Sequence, residues 1–194
     1  MEKGYLAPYP KKGLKIQARI GFLDESAFSD KPMVRKTWAL KGHTPILWVP
    51  VGWVTRSVIS MIVCSPKGER PRLLFRVMKM AINQDRFIEF LKIIKRHTRG
   101  KLIIITDNLA VHKSKKTKAY CKTQKSWLSV EYLPPYAPEL NPVEYIWSSS
   151  KRKHFSNASI VGGKALDARI RKNGRKAQTQ KNLLKGFLKA SSLF

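Results

Sequence analysis

One short stretch, Lys101-Leu-Ile-Ile-Ile-Thr-Asp-Asn108, constrains the fold more than any other part of the chain. Its four consecutive apolar residues follow Gly100 and predict a strand that is buried on both faces. Asp107 lies at the open end of this strand. Because ligands bind beyond the carboxyl ends of strands in sheets covered by helices, Asp107 is a candidate site residue.

The residues before this stretch predict an antiparallel meander. Lys15 to Leu23 alternates and then becomes wholly apolar, as a strand that passes from half-exposed to buried would, and it ends at Asp24. Short turns separate the runs that follow, which favours antiparallel pairing. The further runs rich in β-branched, aromatic or aliphatic residues are Arg35–Leu40, Ile46–Val49, Trp53–Val63 and Arg72–Met78.

The periodicity then changes to that of helices. Asn83 can cap a helix whose apolar positions recur at helical spacing, and Gly100 follows its end. A helix that leads into a buried strand is the crossover typical of parallel pairing. Ser114 can cap a second helix to about Lys125, and Leu128–Leu133 alternates as a last strand. The chain is therefore predicted to be α/β, with a mixed five-stranded sheet of three antiparallel strands followed by parallel strands, and flanking helices.

A proline-rich stretch introduces the last helix of this unit. Pro134, Pro135 and Pro138 favour an extended loop, after which Asn141 is a helix cap and Pro142 the first helical residue. Glu144 then has two interpretations. It can cap the backbone N–H of Asn141 in a capping box, or it can serve as a ligand beside the strand ends.

Three carboxylates are predicted to converge. Neighbouring strands lie ~4.8 Å apart, so the strand-end acids Asp24 and Asp107 can share an ion, and a helix over that edge can add Glu144. Oxygen ligands without His or Cys favour Mg²⁺ or Mn²⁺. Two such ions can activate an attacking oxygen and stabilise a leaving one in phosphodiester transfer.

The net charge of the chain indicates what kind of partner it binds. The chain has 39 Lys and Arg against 12 Asp and Glu, a formal net charge of +27. Such an excess is typical of proteins that bind nucleic acid, although a ribosomal partner or a merely solvated basic surface are alternatives. Cys64 and Cys121 form no metal-binding spacing, and no signal peptide or membrane segment is evident, so we expect a cytoplasmic protein.

Several motifs together resemble a known family. They are Phe22-Leu-Asp-Glu-Ser26 with Trp38-Ala-Leu-Lys-Gly42, Ile105-Thr-Asp-Asn-Leu-Ala-Val-His112, and Leu133-Pro-Pro-Tyr-Ala-Pro-Glu-Leu-Asn-Pro-Val-Glu-Tyr-Ile-Trp147. The chain resembles the catalytic core of the mariner-superfamily DDE transposases, in their prokaryotic insertion-sequence branch. The resemblance covers about residues 16 to 155, and the last motif is the most specific.

The resemblance implies an RNase H-like fold and a metal-binding triad of Asp24, Asp107 and Glu144. It further implies that metal-activated water cleaves transposon ends, that the freed 3′-hydroxyl is joined to target DNA, commonly at TA dinucleotides, and that a homodimer holds the ends. On that basis the protein would be nucleoid-associated.

The chain departs from the family pattern in two ways. The 36 residues between Asp107 and Glu144 slightly exceed the usual spacing. Glu139 would shorten the spacing but lies in the proline-bound loop, so Glu144 is preferred. The family normally carries N-terminal helix-turn-helix modules that recognise transposon ends, whereas this sequence begins almost directly at the first catalytic strand. A split gene with a separately encoded helix-turn-helix partner, or a fragment, would account for this.

Two functions from different classes remain open. The chain is either the catalytic part of a transposase or a non-catalytic DNA-binding remnant of one. A nuclease or Holliday-junction resolvase is a third reading, which explains the acids but not the Pro-Glu-Leu-Asn-Pro-Val-Glu stretch. All three carboxylates being present favours the first.

The remaining predicted site residues have structural alternatives. Glu25 is expected to stay solvated or to orient a neighbour, because adjacent strand side chains point to opposite faces. Residues that could bind DNA or support the site are Asn108, His112, Asn141, Lys151, Arg152 and Lys153. The tryptophans are predicted to pack in the core or against the sheet rather than to stack on bases, although an exposed one could wedge into a distorted target step; they are Trp38, Trp48, Trp53, Trp127 and Trp147.

The predicted organisation has three parts. Residues 1–15 form a lead-in without periodicity, residues 16–155 the catalytic domain, and residues 156–194 a basic, helical C-terminal tail. Gly162-Gly163 is a predicted joint within the tail, and residues 177–190 a short amphipathic helix. We expect this tail to bind phosphates or to become ordered on DNA.

Overall fold

A computed structural model of the chain describes residues 8–49 and 52–191. Its strands are β1 (Arg19–Ser29), β2 (Thr55–Cys64), β3 (Arg72–Met78), β4 (Leu102–Thr106) and β5 (Leu128–Tyr132). Its α-helices are α1 (Pro8–Lys15), α2 (Gln84–His97), α3 (Ala110–Lys113), α4 (Lys115–Thr123), α5 (Pro142–Ser150), α6 (Gly162–Thr179) and α7 (Lys181–Ala190). A 3₁₀ turn, Pro138–Leu140, precedes α5, and a π-helix, Lys151–Phe155, follows it. No helix in these ranges is long and apolar enough to cross a membrane.

The five strands form one mixed sheet in the order β3-β2-β1-β4-β5. The pairs β2–β3 and β1–β2 are antiparallel, whereas β1–β4 and β4–β5 are parallel. All five residues of β4 are buried. The predicted mixed sheet, with three antiparallel strands followed by parallel ones, is confirmed.

Helices cover both faces of the sheet. Alternate residues along a strand point to opposite faces, and they pack into two different apolar clusters. Ile104 packs with the buried face of α2, which Asn83 caps by accepting a hydrogen bond from the backbone N–H of Arg86. Ile103 and Ile105 pack on the other face with α5, α6 and α7. Packing on both faces therefore holds the central strands of the sheet rigidly.

Strand β1 is longer than predicted. Asp24 was expected at its end, but the strand continues to Ser29 and pairs with β2 as far as Thr55. Its parallel pairing with β4 stops at Phe22 and Ile105. Asp24 therefore lies beyond the parallel ladder while its other edge remains paired, which fixes its backbone more firmly than a strand end would.

The predicted strands Arg35–Leu40 and Ile46–Val49 are wrong. Residues 35–40 and 43–49 have no regular secondary structure, and a single bridge joins Met33 to Ser156. Trp38 and Trp48 are 100% and 81% exposed, and Trp53 is also exposed, so their predicted packing is wrong. β-Propensity reflects packing on a neighbouring strand, and no partner strand lies beside this loop in the described part of the chain.

The two ends of the described chain differ from expectation in different ways: part of the lead-in is helical, and the predicted helices of the tail pack into the core. Residues 8–15 of the expected lead-in form α1, whereas residues 1–7 lie outside the described residues. In the basic tail, α6 and α7 bury Leu166, Ile170, Leu184 and Leu188 in the main core. The tail residues 192–194 are not described. The predicted helix over 177–190 corresponds to the end of α6 and all of α7.

An ion pair anchors α6 to the sheet. Arg56 on β2 is 9% exposed, and its Nε donates to Asp167 Oδ1 at 2.6 Å. We expect Asp167→Asn to lower the free energy of unfolding by about 2 kcal/mol, because it leaves the buried guanidinium without a charged partner. Denaturant unfolding would measure this. The exposed pair of Arg76 and Glu89 provides the control, since Glu89→Gln should change stability by less than about 1 kcal/mol.

Candidate active site

The register of the sheet brings Asp24 and Asp107 side by side. Phe22 on β1 pairs with Ile105 on β4, and each acid lies two residues further along the chain, Asp24 within β1 and Asp107 directly after β4. Because side chains alternate, each acid starts from the face of the sheet that Phe22 and Ile105 occupy. Neighbouring strands are ~4.8 Å apart, which is close enough for two carboxylates to share one ion.

Asp24 occupies a buried position. It is 5% exposed, and Trp147 Nε1 on α5 donates to its Oδ2 at 3.0 Å. Burial, followed by the nearby carboxylates of Glu144, Glu25 and Asp107, raises the pKa of Asp24 to about 8. The crowding of like charges around this side chain disfavours its ionised form, and a bound cation would reverse that preference.

Glu144 lies in the first turn of α5 and does not form the capping box. Asn141 accepts a hydrogen bond from the backbone N–H of Val143 at 3.2 Å, as a cap does. Its own backbone N–H donates to the carbonyl of Pro138 at 2.9 Å. The Glu144 side chain is therefore not needed as a cap.

The three acids line one open cleft. Asp24, Asp107 and Glu144 form its walls together with the loop Pro134–Pro138. Carboxylate oxygens without thiolate or imidazole are the donors that Mg²⁺ and Mn²⁺ prefer. The donor set and the raised pKa of Asp24 both fit a divalent cation in this cleft.

His112 connects Asp107 to Glu25. The imidazole is fully buried, with Nδ1 2.8 Å from Asp107 Oδ1 and Nε2 2.9 Å from Glu25 Oε1. Burial opposes its protonation, but the hydrogen bonds and charges of Asp107 and Glu25 prevail and raise the pKa of His112 to about 10. The protonated ring therefore joins carboxylates from two adjacent strands.

The same group offers a second arrangement of ligands. One donor atom each from Glu25, Asp107 and His112 lies within 4.8 Å of the others. Both ring nitrogens of His112 already bond to the carboxylates of Asp107 and Glu25, so these bonds would have to break before the ring could bind an ion. Glu25, which was expected to be solvated or to orient a neighbour, is mostly buried and contacts His112.

Two of the other predicted site residues line the cleft, and three follow the end of α5. Asn108 Nδ2 donates to the carbonyl of Leu133 at 2.6 Å, and Asn141 Nδ2 donates to that of Leu23 at 3.3 Å. Both amides also line the cleft, so they support its walls. Residues 151–153 lie beyond the far end of α5, in the π-helix, where Lys151 Nζ is 5.3 Å from the centre of the Phe28 ring.

Sequence reasoning missed two features of the site. Trp147 was predicted only to pack, yet its indole N–H also holds Asp24. The bridge from Glu25 through His112 was not predicted either. Its signal was the position of His112 in a helical turn directly after Asp107, which returns the ring to the strand end.

Comparisons with known proteins place this geometry in a family. The family model described as DDE superfamily endonuclease matches residues 19–167, which include all three acids. No curated protein matches the chain significantly.

Solved structures of a mariner transposase share the fold. The Mos1 mariner paired-end complex with Mn superposes with a TM-score of 0.67 at 13% identity, covering 98% of this chain and 58% of that one. A pre-cleavage Mos1 transpososome gives 0.62 at 12% identity, covering 99% and 62%. The Mos1 catalytic domain alone gives 0.56 at 11% identity, covering 99% and 92%.

The chain therefore spans about three-fifths of the longer Mos1 chains and nearly all of the isolated catalytic domain. The predicted RNase H-like fold is confirmed by this likeness and by the order of the five strands. Since the family model matches most of the sequence, the chain belongs to the DDE superfamily endonucleases.

Proposed function

We propose that this chain is the catalytic domain of a DDE transposase of the prokaryotic insertion-sequence branch, which cuts transposon-end DNA and joins the freed 3′-hydroxyl to target DNA. The observation that carries the proposal is that Asp24, Asp107 and Glu144 line one open cleft. The family and the Mos1 paired-end complexes support it. Residues 16–155 form the core of the proposed domain, and α6 and α7 complete it.

Asp24, Asp107 and Glu144 would hold two Mg²⁺ or Mn²⁺ ions. When bound, such ions activate the attacking oxygen and stabilise the leaving one. Solved Mos1 paired-end complexes with Mn and with Mg are consistent with either metal. The protein's part is to hold the carboxylates still: the sheet fixes Asp24 and Asp107, Trp147 orients Asp24, and the cap at Asn141 fixes the helix that bears Glu144.

The proposed substrate is duplex DNA with transposon ends, and the net charge of +27 suits a polyanion. A homodimer on two ends, insertion at TA dinucleotides, a separately encoded helix-turn-helix partner and association with the nucleoid belong to the same proposal. The Mos1 paired-end complexes support the pairing of ends.

Nicking of plasmid DNA tests the proposal. Supercoiled DNA that carries the element's terminal repeats would be incubated with the chain in Mg²⁺, in Mn²⁺ and in EDTA. We expect relaxed product with either metal and none in EDTA. DNA binding without nicking or joining under any of these conditions would favour the alternative, a non-catalytic remnant.

His112 is expected to act as a positioning residue for Asp107. Its fully buried ring fixes the carboxylate through Nδ1 and is itself anchored by Glu25 through Nε2. We expect His112→Gln to lower the nicking rate at saturating Mg²⁺ by about 10–100-fold, as loss of a partner to a metal ligand commonly does.

Glu25→Gln separates positioning from general stability. Glu25 reaches Asp107 through the imidazole, so weakening that anchor should lower the rate in the same direction. Unfolding midpoints above the assay temperature would show that both variants are folded. Wild-type rates in both folded variants would contradict the positioning role.

A further inference from the structure

A second groove lies away from the acidic cleft, between α6 and the segment that follows α5. Small, exposed side chains line part of it, including Ser159, Ala165 and Ala168. Cationic side chains form its rim, and His154 lies at one end. The rim residues are Arg169, Lys172 and Lys176.

The charges on this rim have no carboxylate partners among the described residues. Asp167 is the only acid of residues 151–194, and it forms an ion pair with Arg56 on β2. The ion pairs of the described chain involve none of the rim cations. Lys172 and Lys176 are exposed and one helical turn apart, so both are available to a ligand.

His154 lies among several of these cations. Partial burial and then the charges of Lys176, Lys153 and Arg169 lower the pKa of this histidine. The cations around His154 act in the same direction as burial, and such a concentration of positive charge favours binding of an anion.

The groove also has a fixed relation to the proposed active site. Helix α5, which begins beside Glu144, continues directly into the π-helix that contains His154, and the backbone stays helical at Ser150 and Lys151. Ten residues at about 1.5 Å each place His154 about 15 Å along the axis from Glu144. For a DNA strand that lies along this axis, the length corresponds to about four steps of 3.4 Å.

We propose that the groove between α6 and residues 154–161 binds the phosphate backbone of the DNA duplex, about four to five nucleotides from the bond that the acidic cleft cuts. The inference rests on the proposed function, because it assigns this surface to the same DNA. The rim lysines neutralise phosphates, and the small side chains between them and residues 154–161 let the backbone approach. Arg169 is partly committed, since its Nη1 donates to the carbonyl of His154 at 2.8 Å.

The double substitution Lys172→Gln/Lys176→Gln tests the groove. Fluorescence anisotropy in EDTA would measure binding of a transposon-end duplex over a range of salt concentrations. We expect about tenfold weaker binding at low salt and a salt slope that is smaller by about 1 to 2, because each neutralised phosphate contributes about 0.9.

Lys92→Gln/Arg96→Gln is the matched control. These residues are also exposed and one turn apart, but they lie on α2, which covers the opposite face of the sheet. The control should leave affinity and salt slope nearly unchanged. Equal losses in both pairs would overturn the proposal in favour of a diffuse charge effect, and no loss in the groove pair would overturn it outright.

Methylphosphonate substitution of single phosphates locates the contact without any change to the protein. Neutralising the phosphates four to five nucleotides from the cut should weaken binding to the native chain, and should have little further effect on the groove variant. Additive losses would contradict direct contact.

Wild-type nicking with unaltered binding by the groove variant would reject this site alone, whereas absence of metal-dependent nicking in the native chain would reject the proposed function.

Discussion

Asp107→Asn is expected to reduce Mg²⁺-dependent nicking by about 10³-fold or more. The substitution keeps the size of the side chain but removes the negative charge from a proposed ligand that lines the same cleft as Asp24 and Glu144. Loss of a metal ligand removes several kcal/mol of transition-state stabilisation, and about 4 kcal/mol corresponds to three powers of ten in rate.

The measurement is single-turnover nicking of a transposon-end plasmid at saturating DNA. Asp85→Asn is the control, because Asp85 is an exposed carboxylate on α2 whose partner is Lys116. It should keep the wild-type rate. Glu144→Gln should resemble Asp107→Asn, since its carboxylate is not used by the helix cap. A wild-type rate in folded Asp107→Asn would contradict the assignment of the three acids.

Strong local patterns predicted the scaffold of the site. The run of isoleucines in β4 predicted a strand buried on both faces, and all five residues of β4 are buried. In α2, the helical spacing of the apolar residues and the cap at Asn83 predict the same helix. Asn141 followed by Pro142 predicted where α5 begins, and α5 begins at Pro142. These signals succeed because propensity, capping and burial point to the same structure.

Other features depend on contacts between distant residues. The continuation of β1 past Asp24 is set by its partner β2, which the residues around Asp24 do not indicate. Trp147 was assigned to the core by its size, and its position over Asp24 follows only once α5 lies on the sheet. Whether Glu144 caps the helix or is free to act as a ligand likewise depends on the partner of the Asn141 backbone N–H. That N–H donates to the carbonyl of Pro138 in the preceding 3₁₀ turn, so it does not need Glu144.

The exposed loop before β2 shows the converse error. Trp38 and Trp48 have high β-propensity but no neighbouring strand to pack on, so local preference predicted strands that do not form. Residues 162–179 and 181–190 of the basic tail are helical, as expected for the tail. Its many cations also indicated a segment that binds phosphates or that DNA orders, whereas four buried apolar side chains at helical spacing already attach α6 and α7 to the core.

Asp24→Asn is expected to stabilise the metal-free protein while preventing metal-dependent nicking. Asp24 has a pKa of about 8 in the folded chain against an ordinary value of 3.8. At low pH the side chain is protonated in both the folded and the unfolded states, so it contributes no pH-dependent difference. As pH rises above the ordinary value, the unfolded chain releases this proton first, and stability falls until the folded-state pKa is passed.

Asn does not ionise, and its side-chain oxygen can still accept the hydrogen bond from Trp147. The stability advantage of Asp24→Asn should therefore be small near pH 5 and larger by about 2–4 kcal/mol near pH 9. Thermal unfolding in EDTA would show this as an unfolding temperature that is higher than that of the native chain by at least about 5 °C at the higher pH. An advantage that is equal at both pH values would contradict a raised pKa at Asp24.

Addition of Mg²⁺ should change the comparison between the two proteins. A ligand that binds only the folded state stabilises it in proportion to the logarithm of its concentration over the dissociation constant. The native chain should gain unfolding temperature with Mg²⁺, and the gain should be largest near neutral pH and above, where a bound ion relieves the repulsion among Asp24, Asp107 and Glu144. Asp24→Asn should gain little. An equal Mg²⁺-dependent gain in both proteins would show that Asp24 is not a ligand, even if the variant were inactive.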